Sequence, residues 1–466
     1  SFTRTTTIEN ARISPDAIFN GRLIGAFGKN DAVRDHALEL AAAWVSPLNE
    51  APAGFAALDL LMRRPPNLLG GKPLSPATAS EYLPAVIDAI DRLNHSVLAI
   101  QGPPGSGKTY IGSHAIAHLV AKGKSVAVVA NSHSAVDNLL LGCLDAGVDV
   151  SRIAKQANKK NDKPENIWKR PSAYPALANW RAKTGAGHVI GGTSWAFCNS
   201  QLLQQKFDYI FVDEAAQFAL VDAIAVAPAA KNMVLLGDPQ QLTQVVQAIH
   251  PGGVDNSALG HYMGEHEILP PEVGYFVEVT RRMHPKINAP VSWLAYQNKL
   301  HAHESANHRQ ISGLAQGIDL IQVNHIGNST QSPEEVEIVV NKALELVPIV
   351  GADEVLVVAP YNAQVDAIRS ALDEAGLKKV EVGTVDKFQG REAMAVIVSL
   401  AASSAEDAPR GLEFLLNKNR LNVAISRAKT NCYLVYSPAL VRTNFKNIED
   451  VKCVSRLVGL LDFAKA

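Results

Sequence analysis

The chain has 466 residues, of which 47% are hydrophobic and 19% are charged, and its formal net charge at pH 7 is −1. Such values are typical of a globular protein with a sizeable core and, at this length, of two to four domains. A net charge this close to zero excludes binding of nucleic acid through an overall cationic field. A nucleic-acid partner must therefore be held by a local groove.

Cysteine usage and hydropathy indicate the compartment. None of the four cysteines belongs to a Cys-x-x-Cys pair, which predicts buried free thiols in a reducing environment. No apolar run reaches the ~18 residues that a membrane span requires. We therefore expect a cytoplasmic protein with no membrane partner. The cysteines are Cys143, Cys198, Cys432 and Cys453.

Residues 1–94 carry no catalytic motif and are predicted to form a mostly helical segment, the remnant of an accessory or stalk region. The chain begins at Ser1 with neither an initiator methionine nor a signal peptide, so we expect a piece of a longer protein.

From residue 95 onward, short apolar runs alternate with helical stretches, which predicts an α/β fold with open parallel sheets. The runs form two series, which predicts one domain at 95–250, a linker rich in glycine and proline at 251–272, and a second domain at 273–466. The predicted strands are Val97–Ile100, Val126–Ala130, Tyr209–Val212 and Met233–Leu236 in the first series, and Val355–Ala359, Val380–Thr384, Val396–Leu400 and Cys432–Tyr436 in the second.

A basic insert at 151–187 interrupts the first series. It is rich in lysine and arginine, has only Asp162 and Glu165 as acids, and also holds Trp168, Tyr174 and Trp180. Cations interleaved with aromatic side chains are typical of surfaces that lie along a nucleic-acid backbone. A solvated loop with a few core aromatic residues explains the same composition, and both interpretations stay open.

The strongest motif follows the first predicted strand and matches the pattern G-x-x-x-x-G-K-[ST] in full. Backbone N–H groups of such a loop point at phosphate oxygens, and the following helix adds its partial positive charge. Lys108 is expected to reach the β- and γ-phosphates and Thr109 to ligate Mg²⁺, so a nucleoside triphosphatase is predicted. The alternative is a tight glycine turn without function. The loop is Gly102, Pro103, Pro104, Gly105, Ser106, Gly107, Lys108 and Thr109.

Two acids, Asp213 and Glu214, follow the predicted strand that ends at Val212. Ligands bind at the carboxyl ends of strands in open parallel sheets. Asp213 is therefore expected to hold Mg²⁺, and Glu214 to act as the general base for an attacking water. A solvated strand end is the usual explanation of an acidic pair alone, and the phosphate loop upstream favours the functional interpretation.

Three further segments complete the pattern: Gly237–Leu242, Thr384–Glu392 and Asn422–Lys429. With the phosphate loop, the run Asp213-Glu214-Ala215-Ala216-Gln217 and the segment Arg282-Met283-His284-Pro285, the chain resembles superfamily 1 helicases. The resemblance is closest to the up-frameshift-like branch of subgroup B. It implies two tandem RecA-like domains that hydrolyse Mg-ATP in the cleft between them. Some bacterial proteins with this motif set are fused to a RecB-like nuclease, and the chain is similar to the helicase part of such a fusion.

The resemblance also implies roles for single residues. Gln241 is similar to a glutamine that senses the γ-phosphate, and Glu392 to an acid that binds the ribose hydroxyls. Arg282 and Arg427 are similar to arginines that reach the γ-phosphate from the second domain, although surface or capping arginines are the alternative. The segments that touch the strand backbone in this family are similar to Ser132, His133, Ser134, Thr193, Ser194, Thr384 and Val385, where hydroxyls that merely cap helices are the alternative.

The function implied is an ATP-dependent helicase or translocase on single-stranded nucleic acid, DNA rather than RNA, moving 5′ to 3′. The alternatives are an ATP-gated nucleic-acid clamp or remodelling ATPase with little unwinding, and a metabolic P-loop kinase, which would not need Arg282 or Arg427. One feature departs from the family. Many relatives carry a glutamine that reads adenine upstream of the phosphate loop, and the corresponding stretch Tyr82–Val86 has none.

Overall fold

The structure is a computed structural model that describes residues 55–77, 81–157, 167–203, 205–242, 256–388, 390–442 and 447–465. Most of the predicted N-terminal segment and residues 158–166 of the basic insert lie outside the described residues. The chain divides into two compact units. The first takes in the chain up to Gly102, Gly107–Pro239 and Thr243–Val277, and the second takes in Glu278–Ala466 with the short segments Pro103–Ser106 and Gln240–Leu242.

The first unit is built on a seven-stranded sheet with the order β3-β4-β2-β5-β6-β1-β7, in which every neighbouring pair is parallel. The central strands are buried on both faces, as in parallel sheets covered by helices. The strands are β1 Val97–Gln101, β2 Ser125–Val129, β3 Ile153–Lys155, β4 His188–Gly192, β5 Phe207–Val212, β6 Ala230–Gly237 and β7 Gly274–Phe276.

Helices connect these strands, and several begin at polar residues that cap them. The Ser132 hydroxyl accepts from the backbone N–H of Ala135, and the Ser257 hydroxyl from that of Gly260, which satisfies donors of the first turn. The helices of this unit are α1 Ala56–Leu61, α2 Tyr82–Arg92, α3 Lys108–Ala121, α4 His133–Asp145, α5 Tyr174–Thr184, α6 Ser194–Phe197, α7 Ser200–Leu203, α8 Leu220–Val226 and α9 Ala258–Met263.

The predicted start of the second domain at residue 273 differs from the structure. The edge strand β7 pairs with β1, and the Tyr275 hydroxyl donates to the carbonyls of Ser75 and Ala85, so the first unit extends to Val277. A Cβ on Gly274 would lie 2.0 Å from the carbonyl oxygen of Ala99, so the pairing depends on glycine. A three-residue strand that begins with glycine gave no periodic signal in the sequence.

The second unit contains a five-stranded sheet with the order β10-β14-β13-β11-β12, again parallel throughout, and a separate pair formed by β8 and β9. The predicted fold class, α/β with RecA-like parallel sheets, is thereby confirmed. The strands are β8 Val279–Thr280, β9 His301–Ala302, β10 Gly317–Gln322, β11 Val355–Val358, β12 Glu381–Gly383, β13 Ala393–Ser399 and β14 Ala428–Tyr436. The helices are α10 Pro285–Ala295, α11 Pro333–Val350, α12 Asn362–Glu374, α13 Gly411–Leu415, α14 Lys418–Ile425 and α15 Ile448–Lys465.

All four cysteines are buried and free, as predicted. Within the described ranges, no helix is both long and apolar enough to cross a membrane.

A buried polar network fixes the chain where it leaves β13. The carboxylate of Glu335, on α11, accepts from the Ser399 hydroxyl at 2.5 Å and from the Ala401 N–H at 2.9 Å. It also lies 3.1 Å from His325 Nε2, whose Nδ1 is 2.7 Å from the Ser403 hydroxyl. Ala401 has a φ of 65°, a conformation that non-glycine residues adopt only where their surroundings enforce it. The network therefore holds a strained turn in place.

We predict that Glu335→Ala destabilises the second unit by about 3 kcal/mol or more, because buried donors lose their acceptor. At ~2–4 °C per kcal/mol, the melting temperature should fall by roughly 6 °C or more in calorimetry. Glu345 lies on the same helix in an exposed pair with Lys342 at 2.6 Å, so Glu345→Ala is the matched control and should change stability by less than ~1 kcal/mol. Equal melting temperatures for the two variants would show that the network contributes nothing.

Candidate functional site

The loop after β1 has the backbone that phosphate loops require. The N–H of Gly102 donates to the carbonyl of Gly237 at 2.9 Å, which anchors the start of the loop beside the end of β6. Gly105 and Gly107 have φ values of 73° and 87°, in the left-handed region that disfavours residues with a Cβ. Helix α3 then begins at Lys108. The motif pattern therefore corresponds to a strand, a glycine turn and a helix in the predicted order.

Lys108 lies between the two predicted acids of the first unit. Its Nζ is 2.8 Å from Glu214 Oε1 and 3.6 Å from Asp213 Oδ1. The side chains of Lys108 and Asp213 are largely buried, at 12% and 7% exposed, whereas that of Glu214 is 33% exposed. The structure therefore brings these three predicted site residues together at the carboxyl edge of the sheet.

Burial and pairing shift the ionisation of this cluster in opposite directions. Burial disfavours the charged form of Lys108, but the carboxylates of Glu214 and Asp213 outweigh it, so the lysine pKa lies above its ordinary value. Burial raises the pKa of Asp213 from 3.8 to about 6, although Lys108 opposes the rise. Asp213 consequently exchanges its proton near neutral pH.

Glu214 reaches Lys108 through an unusual backbone conformation. Its φ is 53°, and its N–H donates to Asp213 Oδ1 at 3.0 Å. The left-handed conformation costs on the order of 1–3 kcal/mol for a residue with a Cβ, and such strain is concentrated at functional sites. The chain then passes so close to β6 that a Cβ on Gly237 would lie 2.8 Å from the Ala216 nitrogen. Sequence analysis predicted the role of Glu214 but not this turn.

Within the second unit, Arg427 lies beside Gln241. Arg427 Nη2 is 3.5 Å from Gln241 Oε1, and the arginine is 1% exposed. Its Nε donates to the Val423 carbonyl at 3.0 Å and its Nη1 to the Arg391 carbonyl at 3.1 Å. The surface alternative for Arg427 is therefore wrong, because the side chain is enclosed. Its bond to the Val423 carbonyl, in the last turn of α14, matches the capping alternative.

Arg282 and Glu392, predicted to bind different parts of a nucleotide, are partners in an ion pair. Arg282 Nε lies 2.6 Å from Glu392 Oε2, and its Nη1 donates to the Ser426 carbonyl at 3.2 Å. Burial disfavours the charged form of the arginine and lowers its pKa, although Glu392 opposes this effect. Burial likewise raises the carboxyl pKa, but Arg282 outweighs it, so the pKa of Glu392 lies below its ordinary value.

The predicted strand-contact residues occupy the carboxyl ends of three strands. In the first unit, Ser132 and Ser134 follow β2 and are exposed, although the Ser132 hydroxyl caps α4, which matches the capping alternative for that residue. Thr193 follows β4 and makes no side-chain capping bond to α6. In the second unit Val385 is 6% exposed, so its side chain has little surface for a strand. The remaining predicted contacts are His133, Ser194 and Thr384, each of which is partly buried.

An aromatic and basic cluster beside Val385 was missed by sequence analysis. The guanidinium carbons of Arg410 and Arg420 lie 3.7 and 4.2 Å from the centre of the Phe414 ring. Tyr361 packs against the same ring, with centroids 5.7 Å apart, and Val385 lines the adjoining cavity. These residues come from three separate segments, so no local sequence signal could have grouped them.

We predict that replacing Lys108 by methionine destabilises the first unit in a pH-dependent way. Because the folded pKa of Asp213 is raised, wild-type stability falls as pH rises from 3.8 towards about 6. In the Lys108→Met variant the stability continues to fall at higher pH, because the buried carboxylate of Asp213 has lost its cation. The difference between variant and wild type should be small at pH 5 and reach about 3 kcal/mol at pH 8.

The measurement is the melting temperature of both proteins at pH 5, 6.5 and 8. The control is Lys231→Met, because Lys231 forms an exposed pair with Asp208 at 2.9 Å in the same unit. A pH-independent difference between Lys108→Met and wild type would contradict the charge arrangement described above.

Comparison with known proteins places this site in a family. Two family models, each described as an AAA domain, match residues 85–269 and 254–438. The chain is 28% identical over 413 residues to DNA polymerase alpha-associated DNA helicase A of Schizosaccharomyces pombe, covering 72% of this chain and 60% of that protein. It is 23% identical to the DNA replication ATP-dependent helicase/nuclease DNA2 of Saccharomyces cerevisiae, covering 76% of this chain and 25% of that protein.

A further relative is regulator of nonsense transcripts 1 of Dictyostelium discoideum, at 27% identity over 78% of this chain and 32% of that protein. Among solved structures, an arterivirus nonstructural protein 10 (helicase) in complex with DNA aligns with a TM-score of 0.41 and 18% identity, over 74% of this chain and 61% of that chain. The chain thus spans less than two thirds of the length of these proteins. Two family models described as AAA domains together span residues 85–438, and relatives named as helicases align with 72% or more of this chain, so the chain contains AAA domains of the helicase type.

Proposed function

We propose that this chain is an ATP-dependent helicase or translocase on single-stranded nucleic acid. The observation that carries the proposal is the cluster of Lys108, Asp213 and Glu214 within 3.6 Å of the lysine Nζ, at the end of a glycine turn of phosphate-loop geometry. Relatives named as a DNA helicase and as an ATP-dependent helicase/nuclease support the same function. A metabolic kinase lacks this support.

Binding of ATP would replace the carboxylates around Lys108 by phosphate groups. The β- and γ-phosphates compete for the ammonium group that Glu214 and Asp213 now hold, which would release Glu214 to orient the attacking water as general base. The hydroxyl of Thr109 and the carboxylate of Asp213 are hard oxygen ligands of the kind Mg²⁺ prefers, and they would hold the ion. The bound ion would neutralise phosphate charge and would lower the pKa of Asp213, which burial raises.

In the second unit, Arg282 and Arg427 would stabilise charge on the γ-phosphate, and Gln241 would sense it. An arginine placed on the transferring phosphoryl group is worth ~10³–10⁵ in rate. Glu392 and the Ser426 carbonyl hold Nε and Nη1 of Arg282, so a phosphate that bound through these two groups would displace the carboxylate. Glu392 would then be released to bind the ribose hydroxyls.

The strand would lie over the residues that follow β2 and β4, Ser132 to Ser134 and Thr193 to Ser194. In the second unit it would contact Thr384 and the backbone of Val385, whose side chain is buried. Small hydroxyl groups contact phosphate oxygens without selecting a base. We propose DNA over RNA as the strand and movement from 5′ to 3′, in a cytoplasmic protein whose full-length chain includes a nuclease domain.

Strand displacement tests the proposed function. ATP should drive displacement on a duplex with a 5′ single-stranded tail and not on one with a 3′ tail, with DNA and RNA strands compared at a stated salt concentration. Lys108→Ala is the control and should abolish both ATP hydrolysis and displacement, because phosphate charge loses its partner. Displacement only on 3′-tailed duplexes would overturn the polarity, and strand-stimulated hydrolysis without displacement would establish the clamp instead.

The role of Glu214 is tested by Glu214→Gln, which keeps the size of the side chain and removes the basic carboxylate. We expect ATP to bind at least as tightly, because one competitor for Lys108 is lost. Hydrolysis should fall by ~10²–10⁴, the contribution of a general base. Filter binding of labelled ATP and single-turnover hydrolysis measure the two effects. A variant that fails to bind ATP would make Glu214 structural.

A further inference from the structure

The carboxyl edge of the first unit's sheet has a half that the phosphate site does not use. The strand order places β1, β5 and β6 together, with the phosphate loop and the acidic pair at their ends, and leaves β3, β4 and β2 as a separate half. The first polar residue after each of these strands is an amide or a hydroxyl: Gln156 after β3, Thr193 after β4 and Asn131 after β2. Among the residues that the structure describes, no carboxylate directly follows these strands, so a polyanionic backbone can approach their ends.

The acid nearest in sequence, Asp137 on α4, is neutralised inside the unit. Its Oδ2 lies 2.6 Å from the Nζ of Lys155, the last residue of β3, whose side chain is fully buried. The same Nζ donates to the carbonyl of His133 at 3.2 Å. The lysine thus ties the start of α4 to the end of β3, so this half of the edge is a fixed platform.

Trp195 lies at this half of the sheet edge, in the helix that follows β4. It belongs to the short helix α6, in which its two following neighbours, Ala196 and Phe197, are fully buried whereas Trp195 is 52% exposed. A Cβ on Gly192 would lie 2.8 Å from the Cβ of Ala196, so α6 folds directly over the end of β4 only because residue 192 is glycine. The buried neighbours fix the backbone of α6, while about half of the Trp195 surface remains exposed.

An exposed aromatic face at this position fits one kind of ligand in particular. It immediately follows Thr193 and Ser194, the residues proposed to contact strand phosphates, so a base attached to a nucleotide bound there has an aromatic surface one residue away. Bases of single strands stack on such surfaces irrespective of sequence, because every base has a π-face. Tryptophan also combines a large contact area with few rotatable bonds.

We propose that Trp195 is a base-stacking residue of the single-strand site, on which one nucleobase of the bound strand packs. The proposal rests on the proposed function and deepens it, since it adds a contact to a base where only backbone contacts were expected. Because stacking reads no hydrogen-bond pattern, the contact gives affinity without sequence preference.

The test compares an oligothymidylate of fifteen nucleotides with an abasic strand of equal length, measured by fluorescence anisotropy. A stacked base is worth on the order of a 5- to 100-fold change in affinity. Trp195→Ala should therefore weaken binding of the oligothymidylate by that factor and leave binding of the abasic strand unchanged. Trp195→Phe, which retains an aromatic ring, should restore most of the affinity, and the abasic strand controls for any loss of stability in Trp195→Ala.

Intrinsic fluorescence gives an independent readout. Binding of the oligothymidylate should quench tryptophan emission in the wild type, and Trp195→Phe should bind the strand with most of that quenching lost. Trp293→Phe is the control that should keep it, because the Trp293 ring packs on Phe463 with centroids 5.7 Å apart.

Wild-type affinity in Trp195→Ala would overturn the stacking proposal alone and would point to a protein partner for the indole. An equal loss on both strands would overturn it too, because the effect would then not involve the base. A wild-type protein that binds neither strand would refute the proposed function, and the stacking proposal would fail with it.

Discussion

The site depends on a lysine ammonium group that is buried beside two carboxylates. A buried cation is tolerated only where anions and hydrogen bonds replace its hydration, and Glu214 and Asp213 supply both to Lys108 at 2.8 and 3.6 Å. Under the proposed function, a polyphosphate would take the place of the carboxylates. The same group would then stabilise the folded chain when paired with acids and act on ATP when released from them.

Parallel topology explains why these residues meet. In the first unit the sheet order places the ends of β1, β5 and β6 side by side. Lys108 and Glu214, which follow two of these strands, are more than 100 positions apart in the chain. The remaining strands of that edge, β3, β4 and β2, are followed by the hydroxyl and amide side chains of Thr193, Gln156 and Asn131. One sheet edge therefore carries two neighbouring surfaces of different chemistry, one with charged side chains and one with amides and hydroxyls.

Local motifs were predicted well from sequence because their geometry is fixed by a few consecutive residues. The phosphate loop needs glycines at positive φ between a strand and a helix, and the acidic pair needs only to follow a buried strand; both patterns are legible without tertiary contacts. Long apolar runs such as those of β5 and β6 were identified for the same reason. Short edge strands were not, since β7 has three residues and pairs with β1 only because Gly274 has no side chain.

The sequence by itself determined the resemblance to superfamily 1 helicases and the two series of parallel strands, and it predicted which groups hold phosphate. Only the tertiary structure decided which partners the side chains have and how far each is exposed. It pairs Arg282 with Glu392 at 2.6 Å, encloses Arg427 against backbone carbonyls, and leaves Trp195 exposed on the short helix α6. The physical reason is that charge pairing and burial depend on distances between residues remote in the chain, which periodicity and motif spacing do not encode. The phosphate loop is recognisable from eight consecutive residues, whereas the counterions of its lysine are evident only from the folded structure.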